Sequence, residues 1–590
     1  MVAVEKLRNN GFIPELPSNK AFLDAIGRPD LKERLSPTTP IVSVSMENDA
    51  LGGAFAGGLG ILEGDKFHQA ADSNIPYIAV TFSPPERWRQ RLVNFRPEEE
   101  YYSVRPKDNG FKKEPISLSI NANGDKPLLE AYSQKLGSAK MITTYEDGLR
   151  GLYCGATDSE HRLYQKAVLG FGGFKAVNEL GIDPSVVLVN ESPAVFYPLA
   201  ELDQSCQDGT PFSQSLSQVR EKTIYVNHTL EQVAEAEFNR DQLERYVFKN
   251  LTSESVRNWL TDIIAKEGGK LKLSTLALAL SKKHAGVSLL HAQIASEQFR
   301  DSDGHTVRFD AITNGIHSRW THPDFLKIDS EGGVIDEFGL PSHDSVEKIF
   351  NLDPSEQRRV KNKAKRELRE YLPKRLDQYN QPIHIPEDSK TVGWARRPVP
   401  YKRPEMPFDD PSRLAEILES ENAHFLLAGK IPNMGKELPE ILHIIDSNPI
   451  LRARAHFIQD YDKDSARRLV AGTDIWLNTP IVGKEACGTS IFKAMKNRTI
   501  LISTEDGGVA DIRRSPALII SGRNYQEETD SLYNQLQRGL RIVDEKDAVS
   551  WDYFVKRQLA AYLPIISGSR MLKDYINYAF PQQNRLQKAT

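Results

Sequence analysis

Short, nearly unbroken apolar runs recur along this chain. Between them lie longer stretches in which apolar positions return every three to four residues. In the first half the runs are IVSVSM (41–46), YIAVTF (77–82), VVLVN (186–190), TIYVN (223–227) and FDAITNG (309–315). In the second half they are TVGWA (391–395), HFLLAG (424–429), AHFI (455–458), DIWLN (474–478), TILIS (499–503) and ALIIS (517–521). A strand that is apolar throughout must be covered on both faces, as in a parallel sheet flanked by helices. Two such series predict an α/β protein with two doubly wound domains. The expected boundaries are 1–385, including a helical insertion, and 386–570, with 571–590 as a C-terminal helix returning to the first domain.

Residues 354–390 lie between the two series. They open with Pro354 and Ser355 and continue as a highly charged helical pattern, which predicts a solvated helix face. The proline-broken end, QPIHIPEDSK, reads as a hinge. A chain of 590 residues is too long for one core, so composition agrees with two domains. With 39% hydrophobic and 26% charged residues it reads as an ordinary soluble protein. A net charge of -4, spread along the chain, argues against a nucleic-acid surface. Cys154, Cys206 and Cys487 are too few and too scattered for a disulfide framework or a zinc cluster, which points to a reducing compartment and no metal. The first twenty residues lack the apolar core of a signal peptide, and no apolar run reaches the roughly 20 residues that span a bilayer. A cytoplasmic location with no membrane partner is expected.

Open α/β sheets bind ligands beyond the carboxyl ends of their strands, so segments that follow strands are the candidates for chemistry. Gly57, Gly58 and Gly60 precede a helical pattern, either as a cradle for an anion or as a plain tight turn. WARRPVPYKR (394–403) gathers Arg396, Arg397, Lys402 and Arg403, as a phosphate clamp or as a basic surface patch. His228 ends one strand and Asn314 another; each suits a sugar hydroxyl, and each also suits a cap or a turn. KEACGTSIFK (484–493) places Glu485 and Lys493 on either side of a Gly-Thr-Ser turn. Lys493, among Ile491, Phe492, Ala494 and Met495, reads either as an amine of lowered pKa or as a lysine that snorkels outward.

EACGTSIFK resembles the EASGT…MK signature of α-glucan phosphorylases. GGLGILEGDKFHQAAD, HRLYQKAVLGFGG, VNHTLEQVAEAEF, TNGIH, RRPVPYKR, LLAGK and DGGVAD are similar to further motifs of that family, in the same order, from about residue 40 to 525. The resemblance is to the compact bacterial and archaeal branch. It implies a glycosyltransferase-B fold of two Rossmann-like domains with a cleft between them. The implied reaction is phosphorolysis of a terminal α-1,4-linked glucose to glucose 1-phosphate with retention. Pyridoxal 5'-phosphate would be carried by Lys493, with Thr489, Gly58 and Tyr461 beside it. Its phosphate would act as acid and base. Arg397 and Lys402 would clamp the substrate phosphate with help from the Gly57–Gly58 backbone. Glu485, Gly488, Asn314, Tyr401 and His228 would hold the sugar. The implied partners are an α-glucan or a small glycosyl acceptor, inorganic phosphate and glucose 1-phosphate; the resemblance also allows a homodimer.

Three departures bear on the acceptor. Pro193 stands in NESPA where the family has a histidine, PVP (398–400) lacks the family's His-Glu, and GATDSE (155–160) replaces a more regular acidic loop. They favour, as the alternative, a related glycosyltransferase of the same fold with a non-glucan small-molecule acceptor or another sugar donor. A non-catalytic sugar-binding relative would be expected to have lost Lys493, Arg397 or Lys402, and all three are present.

Overall fold

A computed structural model describes residues 19–152, 159–230, 236–430, 437–544 and 548–582. The N-terminal segment read for a leader, Cys154, most of GATDSE and part of the motif after His228 lie outside the described residues, as does the tail beyond Gln582. The chain forms two compact units. One holds the chain up to Glu86, Ser103–Thr313 and the segment from Gly568; the other holds Arg87–Tyr102 and Asn314–Ser567.

The sheet of the first unit runs in the order 310–311, Lys283–Gly286, Thr223–Asn227, Val186–Asn190, Ile41–Val44, Tyr77–Ser83, Ala139–Tyr145, Leu128–Leu136 and Lys112–Lys113. Strands are parallel from 310–311 through Ala139–Tyr145, and the last two pairings are antiparallel. Ile41–Val44, Tyr77–Ser83, Val186–Asn190 and Thr223–Asn227 are buried at every position, as their unbroken apolar runs predict. The strand order reverses between Ile41–Val44 and Val186–Asn190. The run at 309–315 forms only a two-residue strand, Asp310–Ala311. Helix Gly568–Ala579 belongs to this unit, and the Arg28 guanidinium donates to the Phe580 carbonyl at 2.6 Å.

The sheet of the second unit is parallel throughout. Its strands, numbered along the chain from Lys390–Ala395 to Leu518–Ile520, lie in the order three-two-one-four-five-six. The order reverses between Lys390–Ala395 and Ile475–Asn478. Besides its segment Arg87–Tyr102, the unit takes in the chain from Asn314 rather than from near 386, because the charged helix packs here. That helix spans Pro354–Tyr371, capped by Asp353, and lies against helix Lys463–Gly472. Its face is not wholly solvated. Gln357, Val360, Lys361, Ala364 and Leu368 recur at helical spacing and are buried. The Lys361 ammonium donates to the carbonyls of Ala471 and Thr473 at 2.9 and 2.7 Å, and to the Thr499 hydroxyl at 2.6 Å. Hairpin Glu86–Val93/Arg96–Ser103, rich in charge and without an apolar run, escapes the sequence pattern. Among the described residues no helix is long and apolar enough to cross a membrane.

Candidate functional site

Each sheet carries a polar cluster where its strand order reverses, the place where a doubly wound sheet opens a crevice at its carboxyl end.

In the second unit, strand Lys390–Ala395 runs into Arg396 and Arg397, and strand Ile475–Asn478 runs into the 479–489 turn. The Arg396 guanidinium donates to the Glu485 carboxylate at 2.6 Å, and the Lys402 ammonium stands 3.5 Å from the same oxygen. Burial alone would raise the Glu485 carboxyl. Lys402 and Arg396 overcome it and hold the group below the usual carboxylate range. Lys402 is drawn down to about 8, first by burial, with Arg396 and Arg397 pushing the same way and Glu485 resisting. Two cations thus meet one carboxylate, with Arg397 near enough to repel Lys402. Such an excess suits an anion. Arg396 also has Nε and Nη1 buried without a hydrogen-bond partner among the described residues. Arg403 is spent on structure: it donates to the carbonyls of Thr479 and Pro480 at 2.8 and 3.0 Å and pairs with Glu528.

Asp506 shapes the turn. Its carboxylate accepts from the N–H groups of Gly483, Glu485 and Gly507 at 3.0, 2.9 and 2.8 Å. Gly488 allows close packing, since a Cβ there would sit 3.2 Å from Arg396 Nη2. Thr489 is the N-cap residue of helix Ser490–Lys496, and its carbonyl accepts from the Lys493 N–H at 3.2 Å. Lys493 is 6% exposed, and its ammonium lies 3.8 Å from the centre of the Trp320 ring. It does not snorkel to solvent. The Asn314 amide donates to the Cys487 carbonyl at 3.2 Å, which fixes Asn314 to the same turn. Tyr401 accepts, through its carbonyl, from the Ile481 N–H at 2.8 Å, and Lys402 lies over its ring at 5.4 Å. Tyr461 is half-buried beside Asp462, and burial pushes its hydroxyl far up.

In the first unit, Gly57 is the N-cap residue of helix Gly58–Asp72. The Glu47 carboxylate accepts from the N–H groups of Ala56 and Gly57 at 2.7 and 2.9 Å. Gly57 therefore gives its N–H to Glu47, whose carboxylate takes the place an anion would fill, while a Cβ on Gly58 would meet nothing within 4 Å. Among the described residues no backbone group donates to the His228 ring, as one would to a cap. Its own N–H donates to Glu191 Oε1 at 2.8 Å, and its Nε2 lies 3.2 Å from Asn190 Oδ1. Glu191 has φ of 65°, a strained value for a residue with a side chain. Pro193 follows in the short turn Ser192–Ala194.

The structure thus joins Glu485, Gly488, Asn314, Tyr401 and Lys402 in one unit, with Thr489 and Lys493 on the adjoining helix, and places Gly57, Gly58 and His228 in the other. Sequence reasoning missed the pairing of Arg396 with Glu485, the turn-shaping role of Asp506 and the Trp320 face under Lys493. Asp506 opens the motif DGGVAD and Trp320 lies three residues beyond TNGIH; what the sequence withheld was their contacts.

No protein-family model matches the chain. It is 25% identical over 575 residues to a maltodextrin phosphorylase of Thermococcus litoralis, with 89% of this chain and 68% of that protein covered. It is 28% identical over 610 residues to a glycogen phosphorylase of Mycobacterium tuberculosis, with the same shares of 89% and 68%. To a glycogen phosphorylase of Aquifex aeolicus it is 26% identical over 582 residues, covering 89% and 83%.

Proposed function

Because this chain is a member of the α-glucan phosphorylase family, we propose that it moves a terminal α-1,4-linked glucosyl group onto inorganic phosphate and releases glucose 1-phosphate. The observation that carries this reading is the cluster at the reversal point of the second sheet, where Arg396, Lys402 and Glu485 meet beside a buried lysine amine. Arg397 and Lys402 bind the substrate phosphate as paired cations. Glu485, held ionised, accepts hydrogens from sugar hydroxyls, with Asn314, Gly488 and Tyr401 beside it. His228 is a further residue that contacts the sugar. The parallel second sheet and the largely parallel first sheet fit a glycosyltransferase-B fold built from two Rossmann-like domains.

The residues present suit pyridoxal 5'-phosphate. Lys493 offers an amine over the Trp320 face, and the unpartnered Arg396 nitrogens offer donors to an anion. Lys493 would hold the cofactor, and Thr489, Gly58 and Tyr461 are its further candidate ligands. Bound there, the cofactor supplies a phosphate group that gives and takes a proton. The chain's own part is to orient the sugar, concentrate positive charge on the substrate phosphate, and balance two anions held close together.

Two measurements test this reading. The purified protein, given glucose 1-phosphate and short maltooligosaccharides, should release phosphate. Borohydride reduction followed by peptide mapping should place a pyridoxyl group on Lys493. A pyridoxyl group on another lysine removes that assignment, and no phosphate release with any acceptor removes the reaction. A second reading keeps the same donor chemistry with a small-molecule acceptor; Pro193, which offers neither N–H nor a polar side chain, favours it.

A further inference from the structure

A buried polar ring adjoins His228. Four side chains of the first unit close a circuit. The Lys66 ammonium is 2.7 Å from Glu63 Oε1 and donates to Asn190 Oδ1 at 2.9 Å. Asn190 Nδ2 donates to the Ser43 hydroxyl at 2.8 Å and to the Val44 carbonyl at 3.2 Å. The Ser43 hydroxyl donates to Glu63 Oε2 at 2.7 Å. All four residues are 3% exposed or less.

This circuit decides an orientation. An ammonium only donates and a carbonyl only accepts. Lys66 therefore requires the Asn190 oxygen on its side, and Val44 requires the Asn190 nitrogen on the other. The amide cannot flip. Its oxygen then faces His228 Nε2 at 3.2 Å, so Nε2 must carry a proton. A neutral imidazole protonated at Nε2 has its lone pair at Nδ1.

We propose that Lys66 is a positioning residue for the reaction: acting through Asn190, it locks His228 in the tautomer that presents the Nδ1 lone pair to a sugar hydroxyl. This inference rests on the reading in which His228 contacts the sugar. The surroundings agree with an uncharged ring. Burial first, then the charges of Lys66 and His291, push His228 well below the ordinary histidine value. His291, from helix Leu289–Gln298, is itself lowered to about 4 by burial, and its Nδ1 accepts from the Val287 N–H at 3.0 Å. Glu191 holds the His228 backbone N–H. Glu63 keeps Lys66 charged, and the Lys66 ammonium lies 4.6 Å from the centre of the Tyr575 ring.

The test uses the full chain labelled with 15N-histidine. Long-range proton–nitrogen correlation spectra read the tautomer, and comparison with His228→Gln assigns the signal. Wild-type His228 should show a protonated Nε2, a bare Nδ1 and no titration between about pH 6 and 8, the range in which a free histidine titrates. In Lys66→Met the Asn190 amide is released and the Glu63 charge is left uncompensated. Burial still keeps the ring uncharged, so His228 should show signals of both neutral tautomers, and kcat/KM for glucose 1-phosphate should fall severalfold. Lys66→Arg, which keeps the donor, should restore the wild-type tautomer. A wild-type His228 protonated at Nδ1, or His228 signals unchanged in Lys66→Met, overturns the proposal. Should Lys66→Met fail to fold, the wild-type spectrum alone still decides, and the pair Glu63→Gln with Lys66→Met removes both charges together. The tautomer is read without turnover. The expected spectrum in an inactive protein counts against the reaction, whereas an active protein with the opposite tautomer counts against the role of Lys66.

Discussion

Lys402 and Asp506 show how single residues set the chemistry of the second cluster. Lys402 is charged below about pH 8 and neutral above it. A phosphate clamp needs the charge, so kcat/KM for phosphate should fall above about pH 8, approaching tenfold per pH unit. Replacing Lys402 with Arg, which stays protonated throughout, should move that alkaline limb outward. A limb unmoved in Lys402→Arg would assign it to another group. Asp506 acts one step further back, through two backbone N–H groups of the turn that carries Glu485 and the N–H of Gly507. Asp506→Ala leaves those donors without their acceptor. Hydrogen bonds to a charged group contribute about 1.5–3 kcal/mol each, and solvent recovers part of that, so a loss of roughly 2–4 kcal/mol is expected in urea unfolding. The KM for glucose 1-phosphate should rise with it. At this scale the sequence disclosed residue types but few partners. Glu485 and Lys493 stood out by their spacing, whereas the contact of Arg396 with Glu485 joins two loops 89 positions apart. Arg403 looked equivalent to Arg396 in the sequence, yet it is consumed by two carbonyls and Glu528.

At the scale of elements, the apolar runs located the buried parallel strands because such strands need apolar residues on both faces. The same rule hid the hairpin Glu86–Val93/Arg96–Ser103, whose strands are half exposed and highly charged. It also misjudged the helix Pro354–Tyr371. Charge along that helix suggested a solvated face, but Lys361 hides its charge by donating to carbonyls at the ends of neighbouring elements. Close packing of this helix against Lys463–Gly472 depends on one missing side chain. A Cβ added at Gly472 would lie 2.5 Å from Leu368 Cβ and 2.8 Å from the Ala364 carbonyl oxygen. Neither atom is the end of a flexible chain, so Gly472→Ala must push the helices apart. Overpacking of this kind costs about 1–3 kcal/mol. Denaturant unfolding should show that loss.

For the whole molecule, strand order did what no single motif could. Both sheets reverse at the strands whose following loops carry the candidate residues, and a doubly wound sheet places ligands there. What strand order leaves open is the acceptor, and there the chain differs from the family pattern at Pro193. The turn Ser192–Ala194 follows the strained Glu191, whose carboxylate is engaged with the His228 N–H. Proline can donate no hydrogen bond from backbone or side chain, so an acceptor sugar that meets this turn loses a donor that a histidine would supply. One unmade hydrogen bond of this kind costs roughly 1–3 kcal/mol, which is about 5- to 150-fold in kcat/KM. The cluster of Arg396, Lys402 and Glu485 follows other strands and is untouched by that loss. Short or small acceptors, which depend less on an extended run of contacts, should therefore outperform long glucans at fixed glucose 1-phosphate. A comparison of maltose, longer maltooligosaccharides, glycogen and small polyols reads this directly through phosphate release. Pro193→His should shift the preference back toward longer chains. Efficient elongation of glycogen by the wild-type protein, with small acceptors inert, would show that another donor fills the place of the missing histidine.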